Sequence, residues 1–380
     1  MRKAAIGVIA VGVASAMVLG ACSSSKSNNS GSTGSTTPSA GNSSSSGKAE
    51  VGVILPDTTS SVRYTLFDAP LLNKAFQTAG IKADVQNAGG STAKFASIAQ
   101  SMIGEGVQVL IIDSLDPTSG AAVEQEAKTA GVKVIDYDRV NLGGSADYYV
   151  SFDNEKVGVL QGQGLVNCLS AAGVTDPQII EMDGGTDTDN NAVLFKQGAQ
   201  SVLNPLQAQG KLKVVSDTVV KGWDISLAAP GFTQALTANG GKVNGVLAAN
   251  DAIANAVVGV LKSNGLAGKV QLTGQDAGIE GLQNILRGDQ CMTIFKPYSQ
   301  EASAASKLAI ALIKGQNPSS AGLTLASFND PTGHRTLQAV LLTPQVITKA
   351  NVEVVVNSGQ LTAAQLCNGI QADCTAAGVK

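Results

Sequence analysis

The most informative stretch of the sequence reads Tyr-Asp-Arg at 137–139 and, after a short polar loop, Tyr-Tyr-Val-Ser-Phe-Asp-Asn-Glu-Lys-Val-Gly at 148–158. The apolar runs at 132–137 and 148–152 are rich in β-branched and aromatic residues, which predicts two buried strands. Each run ends in polar residues. In an open α/β sheet the ligand lies beyond the carboxyl ends of the strands, so we expect the Asp-Arg pair at the mouth of a site.

The same alternation of strand-like and helical segments extends in both directions along the chain. Strands are predicted at 51–55, 107–112, 132–137, 148–152, 178–182, 213–219, 245–249, 270–274, 291–295 and 338–342. Helices are predicted at 70–79, 94–105, 121–130, 155–168, 191–203, 228–238, 252–264, 278–286 and 299–313. A repeated βα pattern with apolar strands indicates an α/β fold whose parallel sheets are covered on both faces.

Many of the predicted strands stop at a polar side chain. One such terminus taken alone is usually a helix cap, but its recurrence in two sheets predicts a cleft where the carboxyl edges face each other. The polar ends are at 56–57, 113, 138–139, 153–154, 183, 250–251, 275–276 and 296–297. A cleft rich in hydrogen-bonding groups suits a neutral polyhydroxylated ligand.

Length and composition are those of an ordinary globular protein. The 380 residues are 43% hydrophobic and 14% charged, which is enough for two domains with cores of their own. The net charge is −3, and the only basic cluster is Arg2 and Lys3. An electrostatic nucleic-acid surface is therefore not expected.

The N-terminal residues indicate export. Arg2 and Lys3 precede an apolar segment at 4–18 and the sequence Leu-Gly-Ala-Cys at 19–22, which resembles a bacterial lipobox. The resemblance implies a lipoprotein signal peptide at 1–21 and a lipidated Cys22 that anchors the protein to the outer face of the cytoplasmic membrane. The alternative, an uncleaved transmembrane anchor, is disfavoured because the run is short and a polar segment follows it. The Ser/Gly-rich segment 22–47 is interpreted as a flexible tether.

Four cysteines remain once Cys22 is assigned to lipid. An even number in an exported protein predicts two disulfides, for which three pairings exist. Proximity in the sequence favours Cys367 with Cys374, which leaves Cys168 with Cys291. The chain has no CxxC spacing, which argues against zinc or redox chemistry.

Several motifs together resemble one known family, the xylose-binding proteins of bacterial ABC sugar importers, which belong to the ribose/galactose-binding type. The similarity runs in order and with similar spacing from about 51 to 342. The motifs are Tyr-Asp-Arg at 137–139, Ser-Phe-Asp-Asn-Glu-Lys-Val-Gly at 151–158, Asp-Asn-Asn-Ala at 189–192, Gly-Trp at 222–223, Asn-Asp-Ala at 250–252, Gly-Gln-Asp-Ala at 274–277 and Lys-Pro at 296–297.

The resemblance implies a type I periplasmic binding protein, with two Rossmann-like lobes joined by three hinge crossings. It places the N-terminal lobe at 48–152 and 297–330, and the C-terminal lobe at 153–296 and 331–380. A neutral monosaccharide, with D-xylose as the first candidate, would be held between the lobes. The partner would be an ABC permease in the membrane, and the protein would act as a monomer without a cofactor.

The resemblance also assigns the sugar-binding residues. They are Arg63, Asp138, Arg139, Asp189, Asn191, Trp223, Asn250, Asp276 and Lys296, with Tyr64 as a second aromatic wall. Charged groups and amides of these kinds form strong hydrogen bonds with sugar hydroxyls. Trp223 is the only tryptophan and follows Gly222 in a polar loop, so we expect it to stack on a sugar face rather than to fill a core.

Two other site types are weighed against this assignment and not favoured. The run Asp-Thr-Asp-Asn-Asn at 187–191 resembles the start of a calcium loop, but Ala192 stands where glycine is required and Gly198 where an acid is required. We therefore expect no metal. A Gly-Gln-Gly at 162–164 lacks the third glycine of a dinucleotide fingerprint, and the chain has no P-loop.

Three functions remain after these exclusions. The first is capture of a sugar for import, and the second is a sugar sensor that presents its closed form to a membrane receptor. The third is an exported α/β enzyme, which is weakened because His334 is the sole histidine and no GxSxG elbow accompanies it. We expect no enzymatic activity. The export signal and the lack of an N-terminal helix-turn-helix argue against a transcriptional repressor.

Overall fold

A computed structural model describes residues 48–379 of the chain. The predicted signal peptide, the tether and Cys22 lie outside the described residues.

Strands and helices alternate through most of this part of the chain. The strands are β1 (Val51–Leu55), β2 (Ala83–Asn87), β3 (Val109–Ile112), β4 (Lys133–Tyr137), β5 (Tyr148–Phe152), β6 (Gln178–Asp183), β7 (Lys213–Val219), β8 (Gly245–Ala248), β9 (Gln271–Leu272), β10 (Met292–Phe295), β11 (Ala326–Asp330), β12 (Arg335–Leu342) and β13 (Gln345–Thr348). The helices are α1 (Ala69–Ala79), α2 (Thr92–Glu105), α3 (Pro117–Thr129), α4 (Asn154–Ala171), α5 (Asn190–Ala208), α6 (Ala228–Ala238), α7 (Asp251–Ser263), α8 (Ile279–Arg287), α9 (Tyr298–Ile313), α10 (Glu353–Asn357), α11 (Ala363–Leu366) and α12 (Gln371–Ala376).

The first sheet has seven strands in the order β11-β12-β5-β4-β3-β1-β2. All neighbours are parallel except β11, which pairs antiparallel with β12. Every residue of β1 and β3 is buried, because α1 and α9 pack on one face of the sheet and α2 and α3 on the other. Continuous apolar runs such as Val-Leu-Ile-Ile in β3 are what a parallel sheet covered on both faces requires.

The second sheet contains four parallel strands in the order β7-β6-β8-β9. The antiparallel pair β10-β13 continues it, since the N–H of Cys291 donates to the carbonyl of Leu272 at 2.9 Å and that of Ile294 to Gly274 at 3.2 Å. The alternating βα segments therefore build two separate sheets.

The chain passes between the two sheets three times. The passages follow β5, β10 and β12, and they lead into α4, α9 and β13. The strand pairing contradicts the third predicted boundary, at 330/331. Strand β12 pairs parallel with β5, Gln338 opposite Tyr148 and Leu342 opposite Phe152, so 335–342 belongs to the first sheet.

The turn between β11 and β12 explains that difference. The carboxylate of Asp330 accepts hydrogen bonds from the N–H groups of Thr332 and Gly333 at 3.0 and 2.8 Å, which reverses the chain into a hairpin. The Pro331-to-Arg335 segment is thus the turn of a hairpin within one sheet, and the third crossing lies at 343–344.

The four remaining cysteines are paired in the structure. One disulfide joins Cys168, near the end of α4, to Cys291, just before β10, and the other joins Cys367 to Cys374. The second pair lies in a small core that α10–α12 form with α8. Across residues 48–379, none of the helices has both the length and the apolarity that a membrane crossing would need.

Candidate functional site

The polar ends of strands in both sheets surround one space between the lobes. It contacts all ten residues that the sequence assigned to sugar binding. Four further residues, Ser60, Ser61, Phe195 and Gln275, also line it. The predicted set is Arg63, Tyr64, Asp138, Arg139, Asp189, Asn191, Trp223, Asn250, Asp276 and Lys296.

Arg63 is buried in the first lobe, and its side chain is only 1% exposed. Its Nε donates to Asp68 at 2.7 Å, its Nη1 to Asp138 at 2.8 Å, and its Nη2 to both Asp68 and Glu301. The guanidinium also lies 4.6 Å from the centre of the Tyr298 ring, a cation–π distance. Of the five donors on an arginine, four are thus used within the protein, so Arg63 mainly holds Asp138 in place.

Asp138 presents a fixed carboxylate to the cavity. Its Oδ1 accepts from Arg63 and its Oδ2 from the hydroxyl of Tyr64 at 3.0 Å. Burial disfavours its charged form, but the positive charges of Arg63, Lys296 and Arg139 outweigh burial and lower its pKa to about 2. Each carboxylate oxygen still has capacity to accept a further hydrogen bond. Asp138 can therefore accept from two ligand hydroxyls.

Arg139 bridges the two lobes. Its Nη2 lies 3.1 Å from the Tyr64 hydroxyl and its Nη1 donates to the carbonyl of Ser114 at 3.2 Å, both in the first lobe. Its Nε lies 3.6 Å from Asp113 of the first lobe and 3.5 Å from Asp189 of the second. Burial raises the pKa values of both Asp113 and Asp189, against the influence of the Arg139 charge.

Trp223 lies in a loop with an unusual backbone. Gly222 and Trp223 both have left-handed conformations, with φ values of 56° and 57°, which is uncommon for a non-glycine residue. The indole Nε1 donates to Oδ2 of Asp189 at 3.1 Å, while Oδ1 of Asp189 caps α5 by accepting from the N–H of Asn191. The N–H of Gly222 donates to Asp187 at 2.9 Å, so two acidic residues hold this loop.

In the calcium-like pattern of the sequence, Asp187 and Asp189 thus accept hydrogen bonds from the Trp223 loop. The one group of described carboxylates close enough to share a cation is elsewhere, at Glu181, Asp183 and Asp217. The Lys196 ammonium lies 2.7 Å from Asp183 and 2.5 Å from Asp217. A lysine therefore supplies the positive charge in that group.

The remaining wall of the cavity carries Asp276 and Lys296. The Lys296 ammonium lies 3.3 Å from Oδ1 of Asp276 and 5.7 Å from the centre of the Phe195 ring. Oδ2 of Asp276 is 3.4 Å from the Ser61 hydroxyl, and the Asn250 amide is 3.4 Å from the carbonyl of Ser60. These last two contacts join the second lobe to the first.

The site is closed and has no net charge. All the charged residues that line it are buried, and the number of positive side chains equals the number of negative ones. The positive group is Arg63, Arg139 and Lys296, and the negative group is Asp138, Asp189 and Asp276. Since an unpaired buried charge is costly, this arrangement favours a neutral ligand with several hydroxyl groups.

The four additional lining residues were missed by the sequence assignment. Phe195 could have been predicted, because it lies four residues after Asn191 on α5 and residues at that spacing share one helix face. Gln275 is part of the Gly-Gln-Asp-Ala motif, and Ser60 and Ser61 immediately precede the Arg63 segment. Asp68 and Glu301, which hold Arg63, carried no signal in the sequence.

The chain is similar to one known protein family and to several known proteins. The periplasmic binding protein domain family matches residues 51–317. The D-xylose-binding periplasmic protein of Escherichia coli is 38% identical over 286 residues, which are 75% of this chain and 83% of that protein. The multiple sugar-binding periplasmic receptor of Rhizobium radiobacter is 35% identical over 333 residues, 84% of this chain and 92% of that one.

A solved structure shows the same fold. The carbohydrate transporter solute binding protein from Chloroflexus aurantiacus, in complex with D-glucose, matches with a TM-score of 0.76 at 29% identity, over 84% of this chain and 98% of that one. The predicted α/β fold of type I is thereby confirmed, and the family consists of solute-binding proteins rather than enzymes. The chain belongs to the periplasmic binding protein family, in the branch that contains the D-xylose-binding periplasmic proteins.

Proposed function

We propose that this protein captures a neutral monosaccharide, with D-xylose as the first candidate, and delivers it to the permease of an ABC importer. The observation that carries the proposal is the buried cavity between the two lobes, which has no net charge and is lined by many hydrogen-bonding groups. The similarity to D-xylose-binding periplasmic proteins supports the choice of sugar.

In this proposal each lobe contributes a different part of the site. Asp138 and Arg139 of the first lobe, and Asn191 and Asp276 of the second, hydrogen-bond the sugar hydroxyls. Hydrogen bonds of this kind to charged groups contribute about 1.5–3 kcal/mol each. Trp223 covers one face of the ring. Because a ligand that contacts both lobes favours the closed form, binding shifts an open ensemble towards the closed surface that the permease recognises.

The proposal extends to the attachment of the protein. The Leu-Gly-Ala-Cys sequence at 19–22 supports lipidation of Cys22 on the outer face of the cytoplasmic membrane, after removal of residues 1–21. The folded part would act as a monomer at the end of the 22–47 tether. Mass spectrometry of the membrane fraction, with Cys22→Ala as the control, tests the anchor.

A titration tests the binding proposal directly. The soluble protein, starting after Cys22, is titrated with D-xylose, ribose, arabinose, glucose, galactose and xylitol, following Trp223 fluorescence and heat. We expect one-to-one binding of xylose that Trp223→Ala and Asp276→Ala abolish, whereas the exposed substitution Lys211→Ala leaves it unchanged. Binding of another of these compounds would change the assigned substrate. If none of the six binds, the proposal is overturned.

A sugar sensor is the second candidate. It is favoured by one observation, the 35% identity to a protein named a multiple sugar-binding periplasmic receptor. The same cavity would serve either role. Co-purification from detergent-solubilised membranes with sugar present distinguishes them, because a transporter captures permease subunits and a sensor captures a receptor.

A further inference from the structure

Two glycines lie directly behind the indole of Trp223. Gly184 and Gly185 follow the last residue of β6. A Cβ atom placed on Gly184 would overlap Cη2, Cζ2 and Cζ3 of the indole. A Cβ atom on Gly185 would lie 2.8 Å from Cδ1 and 2.9 Å from the backbone nitrogen of Trp223. Carbon atoms in contact are normally about 3.5–4.0 Å apart, so no larger residue fits at either position.

The need for glycine here is one of space and not of backbone conformation. Neither Gly184 nor Gly185 is among the residues with positive φ, in contrast to Gly222 in the facing loop. An alanine at 184 could therefore adopt the same backbone. Its methyl group would nevertheless force the six-membered ring of the indole to move.

The indole lies between the two glycines and the cavity, because Trp223 lines the cavity and the glycines do not. Its back lies on the two glycines, its Nε1 edge is held by Asp189 at 3.1 Å, and its other side lines the cavity. Any side chain added behind the ring would push it into the ligand space. For a methyl group at 184, a shift of about 1.5 Å would be needed to restore ordinary contact distances.

We propose that Gly184 and Gly185 form a slot that sets the depth of Trp223 and thereby the width of the ligand cavity. They are positioning residues, which act on the ligand only through the indole. The identity of that ligand rests on the proposed function, but the position of the ring does not.

The slot is tested by Gly184→Ala, with Gly259→Ala as the matched control. Gly259 lies on the exposed side of α7 in the same lobe, and an added Cβ there meets nothing within 4 Å. Because Trp223 is the only tryptophan, its emission and acrylamide quenching report the ring before any sugar is added. We expect Gly184→Ala to change both and to weaken binding of the preferred sugar about tenfold or more, while Gly259→Ala changes binding less than about twofold.

A double-mutant cycle separates the slot from a general loss of packing. Phenylalanine at 223 lacks the part of the ring that meets the added methyl group, so Gly184→Ala should change binding less than about twofold in the Trp223→Phe background. If Gly184→Ala alone does not fold, recovery of folding by Trp223→Phe supports the slot, and failure in both backgrounds overturns it. An unchanged emission spectrum and unchanged affinity in Gly184→Ala would also overturn it. If the unsubstituted protein binds no sugar, the proposed function fails, while a changed Trp223 spectrum still supports the slot.

Discussion

Arg63 donates from Nη1 to Oδ1 of Asp138 at 2.8 Å, and the two side chains are 1% and 6% exposed. The same guanidinium also pairs with Asp68 and Glu301. One positive charge thus faces three buried carboxylates, of which only Asp138 borders the ligand cavity. The first lobe therefore holds its main acceptor through an ionic cluster that lies behind the site.

The pKa of Glu301 leads to a prediction on stability. Burial, together with the nearby negative charges of Asp138 and Asp68, raises it from 4.5 to about 8 against the effect of Arg63. Since the folded-state pKa is above the unfolded value, the associated stability is complete below about pH 4.5 and is lost as the pH rises towards about 8. The unfolding free energy should therefore decrease less steeply with pH in Glu301→Gln than in the unsubstituted protein. The difference in slope across this window should reach up to about 1.4 kcal/mol per pH unit.

Urea unfolding between pH 5 and 9 measures that slope. The exposed substitution Glu280→Gln serves as the control and should leave the slope of the unsubstituted protein intact. Equal slopes for Glu301→Gln and the unsubstituted protein would show that Glu301 does not carry the proton.

Replacing Asp138 should affect binding strongly. Asp138→Asn keeps the size of the side chain, but it removes the charge and turns one acceptor into a donor. We expect a loss of about 1.5–3 kcal/mol in sugar binding, measured by calorimetry. The substitution Asp84→Asn, on the edge strand β2 and outside the cavity lining, should leave binding unchanged. An Asp138→Asn protein with full affinity would contradict the role given to this carboxylate.

Asp189 caps α5 and anchors Trp223, in addition to its contact with Arg139. Asp189→Ala should lower stability by about 1 kcal/mol through loss of the cap and should also increase acrylamide quenching of Trp223. Loss of a cap elsewhere, as in Asp116→Ala at the start of α3, should lower stability without changing the quenching. Equal quenching in the two variants would mean that Asp189 does not orient the indole.

The two disulfides should differ in their effect on stability. Cys168 and Cys291 are separated by 123 residues, and Cys367 and Cys374 by 7. In the chain-entropy account the longer loop contributes about 5 kcal/mol and the shorter about 2 kcal/mol. Thermal unfolding of the two double alanine variants should show the larger decrease in Tm for Cys168→Ala/Cys291→Ala, and the reverse order would contradict this account.

The sequence predicted those parts of the structure that depend on local pattern. Fully buried strands such as β1 and β3 are continuous apolar runs, and the polar residues that end them lie where parallel strands must place them. Strands β2 and β11 were not predicted, because their half-exposed sequences, Ala-Asp-Val-Gln-Asn and Ala-Ser-Phe-Asn-Asp, lack such a run.

The contacts that span long separations could not be read from the sequence. Glu301 lies 238 residues from Arg63, and nothing in the helical pattern of α9 distinguishes a residue that pairs with a buried arginine. The assignment of β12 failed for a related reason. Its strand character was predicted in part, but its partner β5 is about 190 residues earlier in the chain, and pairing depends on the three-dimensional path.

That pairing also has a consequence for the order of folding. The edge of β5 that binds β12 stays unpaired until residues 335–342 have been added, after nearly all of the second lobe. Contacts at such separation form late because a long loop must close first. A chain cut short after residue 330 would therefore expose an open β-edge at β5, which is a template for aggregation. Completion of the first lobe thus depends on the last eighth of the polypeptide.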